Sequence, residues 1–159
     1  MFFIFIFITS IFASELPEEF DRDIYNRGEM IFDNKCNQCH EKSMPIPLLM
    51  KNFIEENNET LKLKAPTGNE ISFRLKQQIG HKDDIEFQLI QTTDFVKDYM
   101  FNPDLAKTIC LEGVIRHFEV MPSMKGKITE EEIEDVTHFL YFLEGFNDIN
   151  EFYHDETIF

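Results

Sequence analysis

The sequence Cys36-Asn37-Gln38-Cys39-His40 constrains this chain more than any other part of it. Two thiols placed three residues apart on one turn can each add to one of the two neighbouring vinyl groups of a haem, and the next residue can then direct its imidazole at the iron. The motif therefore predicts one covalently bound haem c, attached through Cys36 and Cys39, with His40 as an axial ligand of the iron.

Other uses of this motif fit the sequence less well. A thioredoxin-like redox pair would follow a strand in a βαβ pattern, whereas the residues before Cys36 have a helical pattern. A zinc site would need two further ligands at metal spacing, which the third cysteine, Cys110, and the other histidines do not provide. A structural disulfide between Cys36 and Cys39 would leave His40 without a role. Cys110 itself is interpreted as a small buried hydrophobe on an apolar helix face, with an intermolecular disulfide or a redox role as the alternatives.

Residues 1–14 read MFFIFIFITSIFAS, an apolar run that ends in small residues and is followed by acidic ones. This order is typical of a secretory signal peptide at 1–13, so we expect cleavage after Ala13 and export to the periplasm. The run is too short to span a bilayer comfortably, and no stable membrane insertion is expected after cleavage. Because no Lys or Arg precedes the run, an uncleaved N-terminal anchor and a buried N-terminal helix are the alternatives.

The length of 159 residues suits a single domain, predicted here at 14–145 and followed by an acidic, aromatic tail at 146–159. The formal net charge is −15 at pH 7. Such an acidic surface disfavours binding to nucleic acid and to anionic membranes, and it favours a protein partner that presents a basic patch.

Hydrophobic periodicity and capping signals predict a mainly α chain. Thr67 with Glu70, and Thr129 three residues before Glu132, have the spacing of capping boxes that open helices. A β-hairpin around residues 66–69 is the alternative for the first of these. Pro45 and Pro47 indicate an irregular loop at 41–50. Helices are expected at 18–35, 51–58, 67–79, 83–101, 103–118 and from 129 to a stop at Gly145. The region 83–101 is expected to form one helix or two, and its core candidates are Phe87, Ile90, Phe95, Tyr99 and Met100.

With these elements, the chain resembles the class I, mitochondrial cytochrome c-like, c-type cytochromes. The family has a glycine eight residues and an aromatic residue four residues before the first cysteine, and here these are Gly28 and Phe32. The stretch 95–103 is similar to the family's mid-chain helix that ends in Asn-Pro. The resemblance implies a cytochrome c-like helical fold around one haem. It also implies close packing of the first helix on the last, through Gly28 and Phe32 on one side and Val136, Phe139 and Leu140 on the other.

The resemblance also implies the remaining contacts of the iron. In the family, a proline carbonyl after the motif orients the axial imidazole, and Pro45 or Pro47 could serve here, with Pro47 the closer match. The sixth ligand is a methionine in a loop before the last helix, often followed by proline, as Met121 is here. Met124 and His117 are the alternatives, as is an open site. Met44, Met50 and Met100 are expected to be packing residues.

A thioether ligand raises the reduction potential and leaves no easy vacancy for a substrate, which favours electron transfer over catalysis. The chain is thus expected to be a periplasmic electron carrier and not an enzyme, meeting redox partner proteins through a complementary charged surface. A haem subunit of a larger periplasmic oxidoreductase complex and a haem-based sensor with a displaceable methionine are the alternatives. The chain departs from the family in length, with an insert expected at about 50–91 and further residues at 104–118.

Overall fold

The computed structural model describes residues 16–143, and all of the regular elements in this range are helical. The mainly α class is therefore confirmed. The predicted signal peptide, the stop at Gly145 and the tail lie outside the described residues. The elements are α1 (Arg22–Lys35), α2 (Ile46–Met50), a π-helical turn (Lys51–Glu55), α3 (Gly68–Gln78), α4 (Ile85–Phe101), a 3-10 turn (Leu105–Lys107), α5 (Glu112–Ile115) and α6 (Glu130–Phe142).

Helix α1 begins four residues later than the sequence pattern predicts. The backbone turns at Pro17, whose carbonyl accepts a hydrogen bond from Phe20 N at 3.0 Å. Asp21 then caps the helix, because its side chain accepts from the amides of Asp23 and Ile24 at 2.8 and 2.9 Å. This carboxylate satisfies amides that have no partner inside the first turn, and its charge complements the helix dipole.

Helices α1 and α6 cross in close contact, as expected from Gly28 and Phe32. A Cβ atom at Gly28 would overlap the backbone carbonyl of Asp135 on α6, so only glycine allows the two backbones to approach this closely. The Phe32 and Phe139 rings lie 5.5 Å apart between their centroids, and both side chains are buried. Arg27 joins the same helices through a bidentate ion pair with Asp135, at 2.8 and 2.9 Å. The predicted crossing is therefore confirmed.

Both capping boxes are present in the structure. Thr67 and Glu70 cap α3, and Thr129 and Glu132 cap α6, each pair with the two reciprocal bonds of the motif. Gly80, with φ of +69°, follows the end of α3. The alternative of a β-hairpin around residues 66–69 is therefore wrong.

The buried face of α4 agrees with the predicted one only in part, since Phe95 and Met100 pack against the hydrophobic core but two other candidates do not. Phe87 and Ile90 are 45% and 53% exposed, whereas Gln88, Thr92 and Val96 face the interior. Gln88 decides this orientation, since its Nε2 donates to the carbonyls of Lys76 and Ile79 at the end of α3. Its Oε1 also accepts a bond from the hydroxyl of Tyr141 on α6 at 2.6 Å. The hydrogen bonds of the buried Gln88 stabilise this orientation by more than the exposure of Phe87 and Ile90 costs.

Two other segments also differ from their predictions. The loop expected at 41–50 instead contains α2, in which Pro47 occupies the first turn, where a proline nitrogen needs no partner. The helix expected at 103–118 is instead a 3-10 turn and the short α5, separated by extended residues. Asp104 caps the 3-10 turn through Ala106 N, and Arg74 Nε holds the extended part by donating to Ile109 O at 2.6 Å.

Candidate functional site

A cavity of about 610 Å³ lies beside the end of α1, and its walls come from α1, α3, α4, α6 and the segment 108–127. This volume is within the usual range for sites that bind cofactors and other small molecules. Apolar side chains form most of its walls, among them Phe32, Ile71, Leu75, Phe95, Val96 and Leu140.

The Cys-X-X-Cys-His motif forms one wall of this cavity. Cys36 is the C-cap of α1, and its carbonyl accepts hydrogen bonds from the amides of Cys39 and His40, both at 3.0 Å. This turn brings all three side chains to the cavity. Cys36 is partly buried, and burial raises the pKa of its thiol to about 11, while Cys39 is exposed. The local turn thus places both thiols and the imidazole where one ligand could meet all three.

The ring of His40 is oriented by Pro66. Its Nδ1 lies 2.7 Å from the Pro66 carbonyl oxygen. A carbonyl only accepts hydrogen bonds, so Nδ1 carries the proton and Nε2 keeps the lone pair that can bind a metal. Burial lowers the pKa of His40 below its ordinary value, against the opposing effect of the Pro66 hydrogen bond, and this favours the neutral imidazole that a metal requires.

The prediction that Pro45 or Pro47 supplies this carbonyl is wrong. Both lie at the start of α2, whereas Pro66 is 26 residues from His40 along the chain. The sequence does contain a signal for Pro66, because it directly precedes the capping residue Thr67. A carbonyl beside the start of a capped helix is held rigidly, but nothing in the sequence shows that the chain between residues 41 and 65 returns to the motif.

The first turn of α3 clamps the residues after the motif, which holds Pro66 against His40. Gly68 N donates to Glu41 O at 2.8 Å, and the amide of Asn69 donates to Lys42 O at 3.1 Å. The Asn69 side chain adds a bond from Nδ2 to the carbonyl of Met44 at 2.8 Å. A Cβ at Gly68 would stand 2.6 Å from Lys42 O, which explains the glycine at this helix start.

Three methionines line the cavity, and the structure separates them by their packing. Met100 and Met124 pack against the hydrophobic core, and Met124 N also donates to Met100 O at 2.8 Å. Met121 is partly buried and lines the cavity outside this core cluster. His117, the other candidate ligand, is stacked on Phe53 with ring centroids 5.6 Å apart and does not line the cavity. Met121 therefore differs from the other three side chains, which pack against the core or stack on Phe53, and it is available to bind a ligand in the cavity.

Cys110 also lines the cavity, which the sequence did not predict. It belongs to the non-helical segment between the 3-10 turn and α5, so its expected place on an apolar helix face is wrong. The hydroxyl of Thr108 accepts from its amide at 3.3 Å, and burial raises the pKa of the Cys110 thiol to about 11. The interpretation of Cys110 as a largely buried small side chain agrees with this environment.

The charged residues of the cavity wall are mostly basic, although the chain as a whole is acidic. Lys35, Lys64 and Lys127 line the cavity, against one carboxylate, that of Glu119. Lys35 Nζ donates to Glu132 at 2.8 Å and to the carbonyl of Lys127 at 2.9 Å. The wall therefore suits a largely apolar ligand that also carries acidic groups.

Among residues 16–143, no group of three or more His, Cys, Asp or Glu side chains is placed to hold a metal ion. The three cysteines are free thiols. No helix in the same range is long and apolar enough to cross a membrane.

The fold and the site define a mainly helical protein with a large apolar cavity that adjoins a Cys-X-X-Cys-His turn. No protein-family model matches the chain, and no solved structure matches it. An uncharacterized protein of Aquifex aeolicus (strain VF5) is 31% identical over 122 residues, which are 76% of this chain and 76% of that relative. The chain belongs to the same family as this Aquifex protein.

Proposed function

We propose that the chain is a c-type cytochrome that transfers electrons in the periplasm. The observation that carries this proposal is the cavity of about 610 Å³, whose walls include Cys36, Cys39, His40 and Met121. These are the two thiols, the imidazole and the thioether that a class I haem site requires.

The donor atoms of the motif suit this cofactor. Each thiol would add across one vinyl group, so that sulfur forms a bond to one vinyl carbon and a proton is taken up by the other. His40 would bind the iron through Nε2, because Nδ1 is occupied by the Pro66 carbonyl. The lysines of the wall would lie near the acidic propionate groups of the haem.

Met121, which lines the same cavity, would supply a second protein ligand to the iron. A bound haem would supply an iron that cycles between Fe(III) and Fe(II). With His40 and Met121 both bound to it, the protein would exclude substrates from the iron and act as an electron carrier and not as an enzyme. The partner would be a redox protein with a basic patch, since the net charge of the chain is −15.

The decisive experiment is expression of the chain together with a haem-attachment system, followed by extraction with acidified solvent. Haem should stay with the denatured wild-type protein. Cys36→Ala and Cys39→Ala should each retain at most one covalent bond between the protein and the haem. The double variant should lose the haem to the solvent. Cys110→Ala is the matched control and should keep the haem. Full extraction of haem from the wild type would refute the proposal.

A further inference from the structure

The segment 119–123, here called the Met121 loop, lies between two residues that make backbone hydrogen bonds. Phe118 N donates to Ile115 O at 3.0 Å, and the next backbone bond is from Met124 N to Met100 O at 2.8 Å. Within the part of the chain that the structure describes, no amide or carbonyl of residues 119–123 makes a backbone hydrogen bond. The position of Met121 therefore depends on what holds the two ends of the loop.

The downstream end is fixed to the core. Met124 is bonded to Met100 O, and the hydroxyl of Ser123 donates to the carbonyl of Phe101 at 2.7 Å. Both acceptors lie in the last turn of α4, which packs against α6. This end of the loop is thus held by two hydrogen bonds to a helix of the main core.

The upstream end is held by Phe53, on the π-helical turn. The Phe53 ring stacks on His117 with centroids 5.6 Å apart, and it meets Phe118 edge-on at 5.7 Å. Phe53 is only 2% exposed, although it does not belong to the main hydrophobic core cluster. The π-helical turn also packs against α5, which directly precedes these two aromatic residues. The ring therefore forms a separate apolar contact at the entrance to the Met121 loop.

The segment 46–64 that carries Phe53 is braced from within. Asn52 is fully buried, donates from Nδ2 to Asn58 Oδ1 at 2.9 Å, and accepts from Leu61 N at 3.0 Å. Asn58 adopts a positive φ of 61° and donates from its own Nδ2 to the carbonyl of Leu63 at 2.9 Å. The hydrogen bonds of the buried Asn52 and the partly buried Asn58 make the segment a rigid support and not a loose loop.

We propose that the segment 46–64, through Phe53, positions the Met121 loop and so determines how readily Met121 leaves the iron. This inference rests on the proposed function. Phe53 is a positioning residue, since it acts through His117 and Phe118 and does not itself line the cavity. The contacts at its two ends fix the position of the Met121 loop. Loss of the contacts at one end therefore raises the population of conformations in which the Met121 thioether is detached from the iron.

The test compares Phe53→Ala with Ile54→Ala in the haem-loaded full chain. Ile54 is its neighbour on the same π-helical turn, and it is 56% exposed. Two quantities are measured: the thioether–iron charge-transfer absorbance of the oxidised protein, and the rate of carbon monoxide binding to the reduced protein. Phe53→Ala should weaken the absorbance and speed carbon monoxide binding about tenfold, the scale set by one well-packed aromatic contact. Ile54→Ala should match the wild type in both.

Two further variants decide the question if Phe53→Ala does not fold. Phe53→Leu keeps an apolar side chain, and His117→Ala removes the other ring of the stack, so each should shift both quantities in the same direction by a smaller factor. Wild-type values in every folded variant of these two positions would overturn the inference and leave the proposed function intact. A wild-type protein without covalent haem or without the charge-transfer band would remove the proposed function, and this inference with it.

Discussion

The Nδ1 atom of His40 lies 2.7 Å from the carbonyl oxygen of Pro66, across 26 residues of chain. This contact selects one tautomer of the imidazole and leaves Nε2 for a metal. Two features hold Pro66 in place: it precedes the capped start of α3, and the first turn of α3 is bonded to the residues directly after the motif. Sites of this kind depend on such outer contacts nearly as much as on the ligands themselves.

Asn69→Ala should weaken the clamp that holds Pro66. Asn69 is 1% exposed, and its side chain bonds both Met44 O and the hydroxyl of Thr67. Because the substitution removes these bonds from a buried position and leaves the Met44 carbonyl without its side-chain donor, we expect the free energy of unfolding to fall by about 1–3 kcal/mol. Chemical denaturation of the haem-loaded full chain measures this. Asn37→Ala, at an exposed position inside the motif, is the control and should change the value by less than about 0.5 kcal/mol.

Met121→Leu should abolish the charge-transfer band of the oxidised haem protein, because leucine removes the thioether while roughly conserving the volume. Met124→Leu and Met100→Leu should keep the band, since both side chains pack against the hydrophobic core. Absorbance spectroscopy of the three variants checks this. Loss of the band in Met124→Leu alone would show that Met121 is the wrong ligand.

Gly28→Ala should destabilise the crossing of α1 and α6. The added Cβ overlaps the Asp135 carbonyl, which is part of the α6 backbone and can move little. We therefore expect the free energy of unfolding to fall by about 1–3 kcal/mol. Gly113→Ala is the matched control: on α5 the added Cβ meets nothing within 4 Å, and the helix propensity of alanine should stabilise the protein by up to about 1 kcal/mol. Thermal and chemical unfolding report both values. Equal effects from the two substitutions would contradict the close approach of the two backbones.

His138 should make the stability of the fold sensitive to acid. It is 5% exposed, and its Nε2 accepts a hydrogen bond from Asp21 N at 3.2 Å. Burial lowers its pKa, so the folded chain disfavours the proton that the unfolded chain takes up below about pH 6.5. The contribution of neutral His138 to the free energy of unfolding is therefore present above that pH. It is lost as the pH falls through the lowered pKa of His138 in the folded chain.

The measurement is the free energy of unfolding across the range from neutral pH to about one unit below the ordinary histidine pKa. The wild type should lose more stability in this range than His138→Gln, whose amide oxygen can still accept from Asp21 N. His81→Gln, at an exposed position, should follow the wild type. Parallel curves for wild type and His138→Gln would show that this histidine does not carry the effect.

Much of the helical framework could be predicted because its signals are local. The capping boxes at Thr67 and Thr129 act within four residues, and both open helices where expected. The crossing of α1 and α6 was expected only from the resemblance, through Gly28 and Phe32, and the structure contains it. The predicted start of a helix is wrong where a different polar residue caps it, as Asp21 does for α1.

The partner of His40 and the buried face of α4 could not be predicted in the same way. Pro47 and Pro66 are equally able to present a carbonyl, and the choice depends on how the chain between them packs. The face of α4 depends on Gln88, whose bonds reach the end of α3 and Tyr141 on α6. Hydrophobicity along one helix does not reveal such partners, because they come from elements far away in the sequence.

The sequence by itself determined that Cys36, Cys39 and His40 lie together, since a single turn whose geometry is set by their spacing joins them. It also determined the helical class, because capping and periodicity act over a few residues. The tertiary structure alone decided that Pro66 holds the imidazole, that Cys110 lines the cavity, and that Phe53 contacts the segment leading to Met121. Contacts of this kind join residues tens of positions apart, and they form only when the whole chain has packed.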